Sequence, residues 1–265
     1  MTREKMDTTM IRFDYLEANK DKFRTEFLNA QPFPHIGIDE VCDPAKLEEL
    51  YNQIPEIETA SADYVFAKNK FEKSKFWQMG GIFKELYDDL TSERFKNWLA
   101  YVSNEDIFID EQFYGGGIHQ GKAGSFLDMH ADFNYHPLHE KWFRNLNLLL
   151  YLNKDWKKEY GGELKLEDSR TGVKNEVNVP FNRLAIMLCR GYTLHGYDPI
   201  HFPEGKYRTS IAAYAYTLHE QPQEDARTTV WKVEKSHPVK YILSKIWVPA
   251  VKLKSKFSKS KTADH

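Results

Sequence analysis

The chain is poor in cysteine, in long apolar runs and in charge of one sign. It has 265 residues and two cysteines, Cys42 and Cys189. Two such distant cysteines exclude a disulfide framework. Cys189 lies in the apolar stretch LAIMLC and is expected to be a buried core thiol. This usage fits a reducing, cytoplasmic setting. No apolar run approaches the roughly 20 residues that a membrane span needs. The opening MTREKMDTTMIRFDYLEANKDKF has no apolar signal core. No internal repeat is apparent. Gly115, Gly116 and Gly117 form a glycine run without a phosphate-loop pattern, so they imply flexibility or close backbone approach rather than a nucleotide site.

The formal net charge of −2 conceals an asymmetry. Residues 231–265 hold nine lysines against two acids, a surplus of seven that leaves the remainder at −9. An acidic body argues against nucleic acid as a partner, because phosphate contacts want a basic face. For the lysine-rich tail, a solvated terminus is the favoured reading. Contact with an acidic partner, a nucleotide-linked substrate or an anionic lipid surface is the alternative.

Hydrophobic residues make up 41% of the chain and aromatics 14%, enough for a sizeable core with an aromatic-lined pocket. Residues 1–104 read as a mainly helical buttress with a first strand, belonging to the same domain as the β-rich stretch after them. FDYLEANKDKFRTEFLNA and PAKLEELYNQI have the amphipathic period, PFPHIGIDEV is strand-like, and SERFKNWLAYVS is a helix with Ser92 as its cap. Residues 105–217 read as the β-rich core. NLNLLLYLN is nearly continuous apolar and is expected to be a central strand, with Asn147, Leu149 and Tyr151 on one face. GGELKLED and EVNVPFNRLAIMLC read as further strands. Residues 218–265 are a C-terminal extension ending in the lysine-rich tail. The expected fold class is mainly β with flanking helices (α+β), a double-stranded β-helix or jelly roll.

Chemistry concentrates in three residues. His130 and Asp132 stand in LDMHADFN, and His195 in GYTLHGYD. On a strand, positions i and i+2 face the same side, so His130 and Asp132 can reach one ion. Two imidazoles and one carboxylate on one side of a metal form the facial triad of a non-haem Fe(II) centre, with positions left open for a co-substrate and O₂. Arg208 lies in YRTSIAAYAYT, where period 2 places Arg208, Ser210, Ala212 and Tyr214 on one face. A guanidinium fork with a nearby hydroxyl suits the distal carboxylate of a chelating dicarboxylate.

These stretches occur in a fixed order: GGGIHQGKAGSFLDMHADFN, RNLNLLLYLNKDW, YGGELKLED, FNRLAIMLCRGYTLHGY and KYRTSIAAYAYT. The chain thereby resembles the 2-oxoglutarate- and Fe(II)-dependent oxygenases, in particular their prolyl-4-hydroxylase-like branch. The resemblance implies His130, Asp132 and His195 as catalytic iron ligands, Arg208 as partner of the distal co-substrate carboxylate, and Tyr151 as a second contact. Ser210 and Asn147 are candidates for further co-substrate contacts. It also implies Fe(II), 2-oxoglutarate and O₂ as cofactor and co-substrates, with succinate and CO₂ released as a C–H bond is hydroxylated. An aspartate at position 132 argues for hydroxylation over halogenation, since halogenating relatives lack that carboxylate.

One position departs from the branch. Its members often carry a tyrosine nine residues before the first ligand, and here that residue is Gly121. His119 and Gln120 are nearby replacements, and Asn134 and His136 are candidate substrate contacts. Stretches 60–80 and 133–144 are candidate lids. Three readings remain: an oxygenase hydroxylating a small molecule (an amino acid, a sugar or a nucleotide-linked sugar), an oxygenase acting on a prolyl or other residue of a protein, and a cupin-like metal-binding protein without oxygenase activity. Gly121 inclines the reading towards the small molecule.

Overall fold

A computed structural model describes residues 9–55, 60–64 and 67–232. The lysine-rich tail lies outside the described residues. The chain opens with α1 (Phe13–Ala18), α2 (Lys20–Asn29), β1 (His35–Asp39) and α3 (Pro44–Asn52). A hairpin of β2 (Ala60–Tyr64) and β3 (Ala67–Lys73) precedes α4 (Gly81–Leu90) and α5 (Glu93–Ser103). The strands of the core come next: β4 (Phe108–Ile109), β5 (Gly117–Ala131), β6 (Tyr135–His136), β7 (His139–Tyr151) and β8 (Leu164–Asp168). They continue as β9 (Lys174–Val177), β10 (Arg183–Leu188), β11 (Thr193–Tyr197), β12 (Arg208–Leu218) and β13 (Val230–Trp231).

Local signals act as the residues dictate. Asp43 accepts from the amides of Ala45 and Lys46, both at 3.0 Å, and so starts α3 at Pro44. Ser92 accepts from Phe95 N and caps α5. The stretch expected as one N-terminal helix is two, because Asn19 leaves helical geometry and its amide donates to the Tyr15 carbonyl at 2.8 Å.

The main sheet path runs β1-β10-β7-β12-β5-β11-β8-β9, each pair antiparallel. The 15-residue β5 makes the barrel: its first half pairs with β12 (Arg208 opposite Gly121) and its last with β11 (His195 opposite His130). One strand thus carries hydrogen bonding from one sheet to the other and nearly closes a jelly roll. Period 2 sorts the side chains. Leu148 and Leu150 of β7 join Ile186, Ile211 and Ala213 in a core shared with Phe27, Leu86 and Phe95 of the helices. Tyr151 on the opposite face packs with Leu164, Leu166 and Met187 inside the barrel.

The stretches read as lids are mostly built structure. Residues 67–73 form β3, laid antiparallel on β5. Residues 135–144 are the β6–β7 hairpin.

Helical layer and barrel are also joined by one side chain. Asn182, at φ 62°, precedes β10, and its amide clasps Cys42 from both sides, accepting from the amide at 2.9 Å and donating to the carbonyl at 2.8 Å. Both residues are buried. Asn182→Ala is expected to lower stability by about 2–4 kcal/mol, since two hydrogen bonds go and two backbone groups lose their partners. Urea unfolding measures it; a change below about 1 kcal/mol would contradict the role.

Candidate metal centre and its cavity

His130 comes from the end of β5 and His195 from the middle of β11, side by side across the barrel, and Asp132 stands one residue past β5. Their ligand atoms all lie within 4.8 Å of one another. His130 Nε2 is 3.5 Å from Asp132 Oδ1, and His195 Nε2 is 3.4 Å from Asp132 Oδ2. Ligands about 2 Å from a first-row ion at right angles sit roughly 3 Å apart, so small shifts would close the set on one metal.

The donor set fits such an ion on chemical grounds. His130 Nδ1 lies 2.9 Å from the Asp128 carbonyl oxygen. A carbonyl only accepts, so Nδ1 carries a proton, and Nε2 is the nitrogen that faces Asp132 and is placed to bind a metal. A metal ion would take Nε2 and the Asp132 carboxylate together. The indole of Trp231 lies over the His130 ring at 4.8 Å, and β13 pairs backbone with His130.

Asp132 is held from behind by a group the sequence did not disclose. Arg144 Nη2 donates to Asp132 Oδ2 at 2.9 Å. Asn147 Nδ2 donates to the same oxygen at 2.7 Å, while Asn147 Oδ1 accepts from Arg144 Nε and Nη2. Burial pushes the Asp132 carboxyl up, but Arg144, then His195 and His130, outweigh it and hold it well below the usual carboxylate range. The carboxylate is therefore ionised and ready to bind metal. Asn147, expected to touch the co-substrate, borders the cavity but spends its amide on Asp132 and Arg144.

A β-bulge explains why Arg144 escaped notice. Along β7, Leu146 faces Ala215, but Tyr216 is opposite Arg144, so Asn145 is an extra residue. The bulge reverses the parity of the strand and brings Arg144 to the face of Asn147. A second irregularity lies between the His195–His130 and Tyr197–Leu127 pairs. Gly196 permits it: a Cβ there would lie 2.5 Å from the Leu127 carbonyl oxygen.

One cavity, about 660 Å³ counting its open mouth, contains the triad together with Arg144, Arg208 and Ser210. Arg208 Nε donates to the Gly162 carbonyl at 2.7 Å, and Nη2 reaches the Tyr151 hydroxyl at 3.3 Å. Gly162 has φ +84°, and a Cβ would meet Arg208 Cδ at 3.0 Å, so glycine is required. Tyr151 is fully buried and touches Arg208 rather than bordering the cavity. Burial raises its phenol pKa, against Arg208, which lowers it.

The space beside Gly121 has another occupant. A Cβ on Gly121 would lie 2.7 Å from Ser125 Oγ and 3.5 Å from the Tyr197 hydroxyl. Tyr197 bonds Ser125 Oγ at 2.9 Å, and its ring faces the Arg208 guanidinium at 4.1 Å. Tyr197, two residues after His195, thus places a phenol hydroxyl beside Gly121, the position where the family motif often carries a tyrosine. His119 and Gln120 border the same cavity. Asn134 and His136 do not. Asn134 accepts from Arg227 N and donates to the Asp225 carbonyl, pinning the segment before β13. His136 sits 3.5 Å from Asp110 among Tyr114, His139, Trp142 and Tyr216.

His130→Ala and Asp132→Ala are each expected to weaken Co(II) binding at least about 100-fold, since losing a mere hydrogen-bond partner of a ligand already costs about 10–100-fold. Cooperative unfolding should persist, because strands and not metal hold the barrel. Isothermal titration with Co(II) checks it, and unchanged binding in either variant would remove that residue from the ligand set.

Residues 116–216 match the model of the 2OG-Fe(II) oxygenase superfamily. No curated protein sequence matches the chain. Solved structures share its fold at low identity. A Pseudomonas putida prolyl-4-hydroxylase has 15% identity over 76% of this chain and 100% of its own, at TM-score 0.53. A Trichoplax adhaerens prolyl hydroxylase, solved in complex with a hypoxia inducible factor oxygen degradation domain peptide, has 13% identity over 77% of this chain and 91% of its own, at TM-score 0.54. SnoN, a non-heme alpha ketoglutarate dependent epimerase from nogalamycin biosynthesis, has 11% identity over 82% and 87%, at TM-score 0.52. With the family match spanning both metal-ligand motifs and Arg208, the jelly roll of this chain is a 2-oxoglutarate- and Fe(II)-dependent oxygenase core, similar in fold to the prolyl hydroxylases.

Proposed function

We propose that the protein hydroxylates an unactivated C–H bond of a small molecule, with 2-oxoglutarate converted to succinate and CO₂. The observation that carries this reading is that the described segments flanking the cavity are fastened in place. The flanking segments are fastened by hydrogen bonds: β3 lies on β5, and the stretch before β13 is tied by Asn134 and by Tyr135, whose hydroxyl accepts from Gln223 N. A peptide substrate asks instead for an open groove with loops that move aside. The free thiols of Cys42 and Cys189, both buried, fit the cytoplasmic setting proposed for the protein.

His130, Asp132 and His195 would hold Fe(II), which with 2-oxoglutarate and O₂ supplies the oxidising power. The protein's own part is placement. Arg208, braced by Gly162 and faced by Tyr197, offers its fork to the distal carboxylate. Arg144 and Asn147 keep Asp132 ionised and aimed. The walls of the barrel limit access of water to the site.

Anaerobic titration of Fe(II) and 2-oxoglutarate, followed by the visible charge-transfer band of the chelate, tests the placement. The band should need both components. Arg208→Ala should raise the co-substrate concentration at half-saturation about 100-fold, the worth of hydrogen bonds between charged groups. Tyr197→Phe should raise it about 5- to 10-fold, the worth of one neutral hydroxyl. Succinate release with panels of amino acids, sugars and nucleotide-linked sugars, against proline-containing peptides, then tests the substrate class. Stimulation by peptides alone would overturn the small-molecule reading in favour of a protein hydroxylase.

A further inference from the structure

We infer that Arg144 is the substrate's anchor and that the substrate carries a carboxylate close to the carbon that reacts. The inference rests on the reading of the cavity as a small-molecule site. Arg144 is 1% exposed, one of the largest fully buried side chains among the described residues. A guanidinium has five N–H donors, and a buried one is expected to use them. The contacts of Arg144 account for Nε and for Nη2, on Asn147 and Asp132. Nη1 has no hydrogen-bond partner among the described residues, and Arg144 borders the cavity beside the triad.

The surroundings limit what can meet Nη1. The Tyr214 ring lies 3.5 Å from Arg144 Cζ and the Phe133 ring 4.6 Å. Rings packed against the guanidinium leave its edge as the place for an acceptor. Charge limits it further. Asp132 offsets one of the cavity's two guanidiniums, and a doubly charged co-substrate offsets a divalent metal. One positive charge remains, in a setting where an uncompensated charge is costly. A substrate with a single carboxylate answers both the open donors and the remaining charge. An amide or carbonyl oxygen would answer only the first. The anchor shares an aspartate with the metal, so a carboxylate held on Nη1 places neighbouring carbons next to the reacting site.

The test measures binding without turnover. The protein is loaded with Fe(II) and 2-oxoglutarate under nitrogen and titrated with matched acids and amides: 3-methylbutyrate against 3-methylbutyramide, and L-leucine against L-leucinamide. Intrinsic fluorescence and the charge-transfer band report binding. At least one acid is expected to bind about 10-fold or more tighter than its amide, the scale set by a charge-assisted hydrogen bond. Arg144→Lys, which keeps the charge but loses the planar fork, should retain the band and lose that preference. Arg144→Gln should lose it as well. Equal affinity for acid and amide, no saturable binding of either acid, or an acid preference unchanged in both variants would overturn the inference. If a variant fails to fold, the comparison of acid with amide on the unmodified protein decides alone. Acid binding through Arg144 with turnover confined to peptides would support the anchor while refuting the small-molecule function.

Discussion

The site depends on keeping one largely buried carboxylate charged. Asp132 lies among two imidazoles, a guanidinium and an amide, where an isolated carboxyl would take up a proton. Arg144 prevents this, and Arg144 is itself kept charged by Asp132 against the burial that would discharge it. Neither group is tenable alone in this interior, since removing one partner leaves an uncompensated buried charge. The pair therefore constrains the strands around it: β7 must present Arg144 inward, β5 must end where Asp132 can turn back, and β11 must bring His195 alongside His130.

Regular strands cannot do all of this. Alternation would send Arg144 to the face of Leu146 and Leu148, into the apolar layer shared with the helices. The extra residue at Asn145 turns it round, and the irregularity near Gly196 similarly lets Leu127 and His130, three residues apart, border one cavity. Both irregularities lie beside the metal ligands, where a local break in a ladder re-aims side chains that matter.

This also separates what the sequence disclosed from what it concealed. Composition, the continuous apolar strand around Leu148 and the alternation after Arg208 pointed to the jelly roll, and the helix cap at Ser92 stood where short-range rules put it. The triad was legible because His-x-Asp and a later histidine are chemically specific in combination. Arg144 was hidden by the parity change, and a lone arginine opening an apolar strand reads as an edge residue. Tyr197 was hidden because its meaning depends on Gly121, 76 positions away in sequence and visible only once β5 and β11 are paired. Asn134 and His136 illustrate the converse: polar residues close in sequence to a ligand, yet engaged in holding loops and an aromatic cluster.

The two guanidiniums of the cavity are not equivalent. Arg144 has a carboxylate, whereas Arg208 has a carbonyl oxygen, a phenol and aromatic faces, with no carboxylate within 4.0 Å among the described residues. Among the described residues, the cavity thus carries its unmatched positive charge at Arg208. An anion entering there gains the most, because it meets a desolvated, pre-aimed donor whose own burial is otherwise uncompensated. On the proposed function, a co-substrate bound there would relieve that cost, and its binding free energy would add to the stability of the folded chain by mass action. A dicarboxylate held in this way between Arg208 and the metal would leave the edge of Arg144 as the main unsatisfied donor facing the cavity.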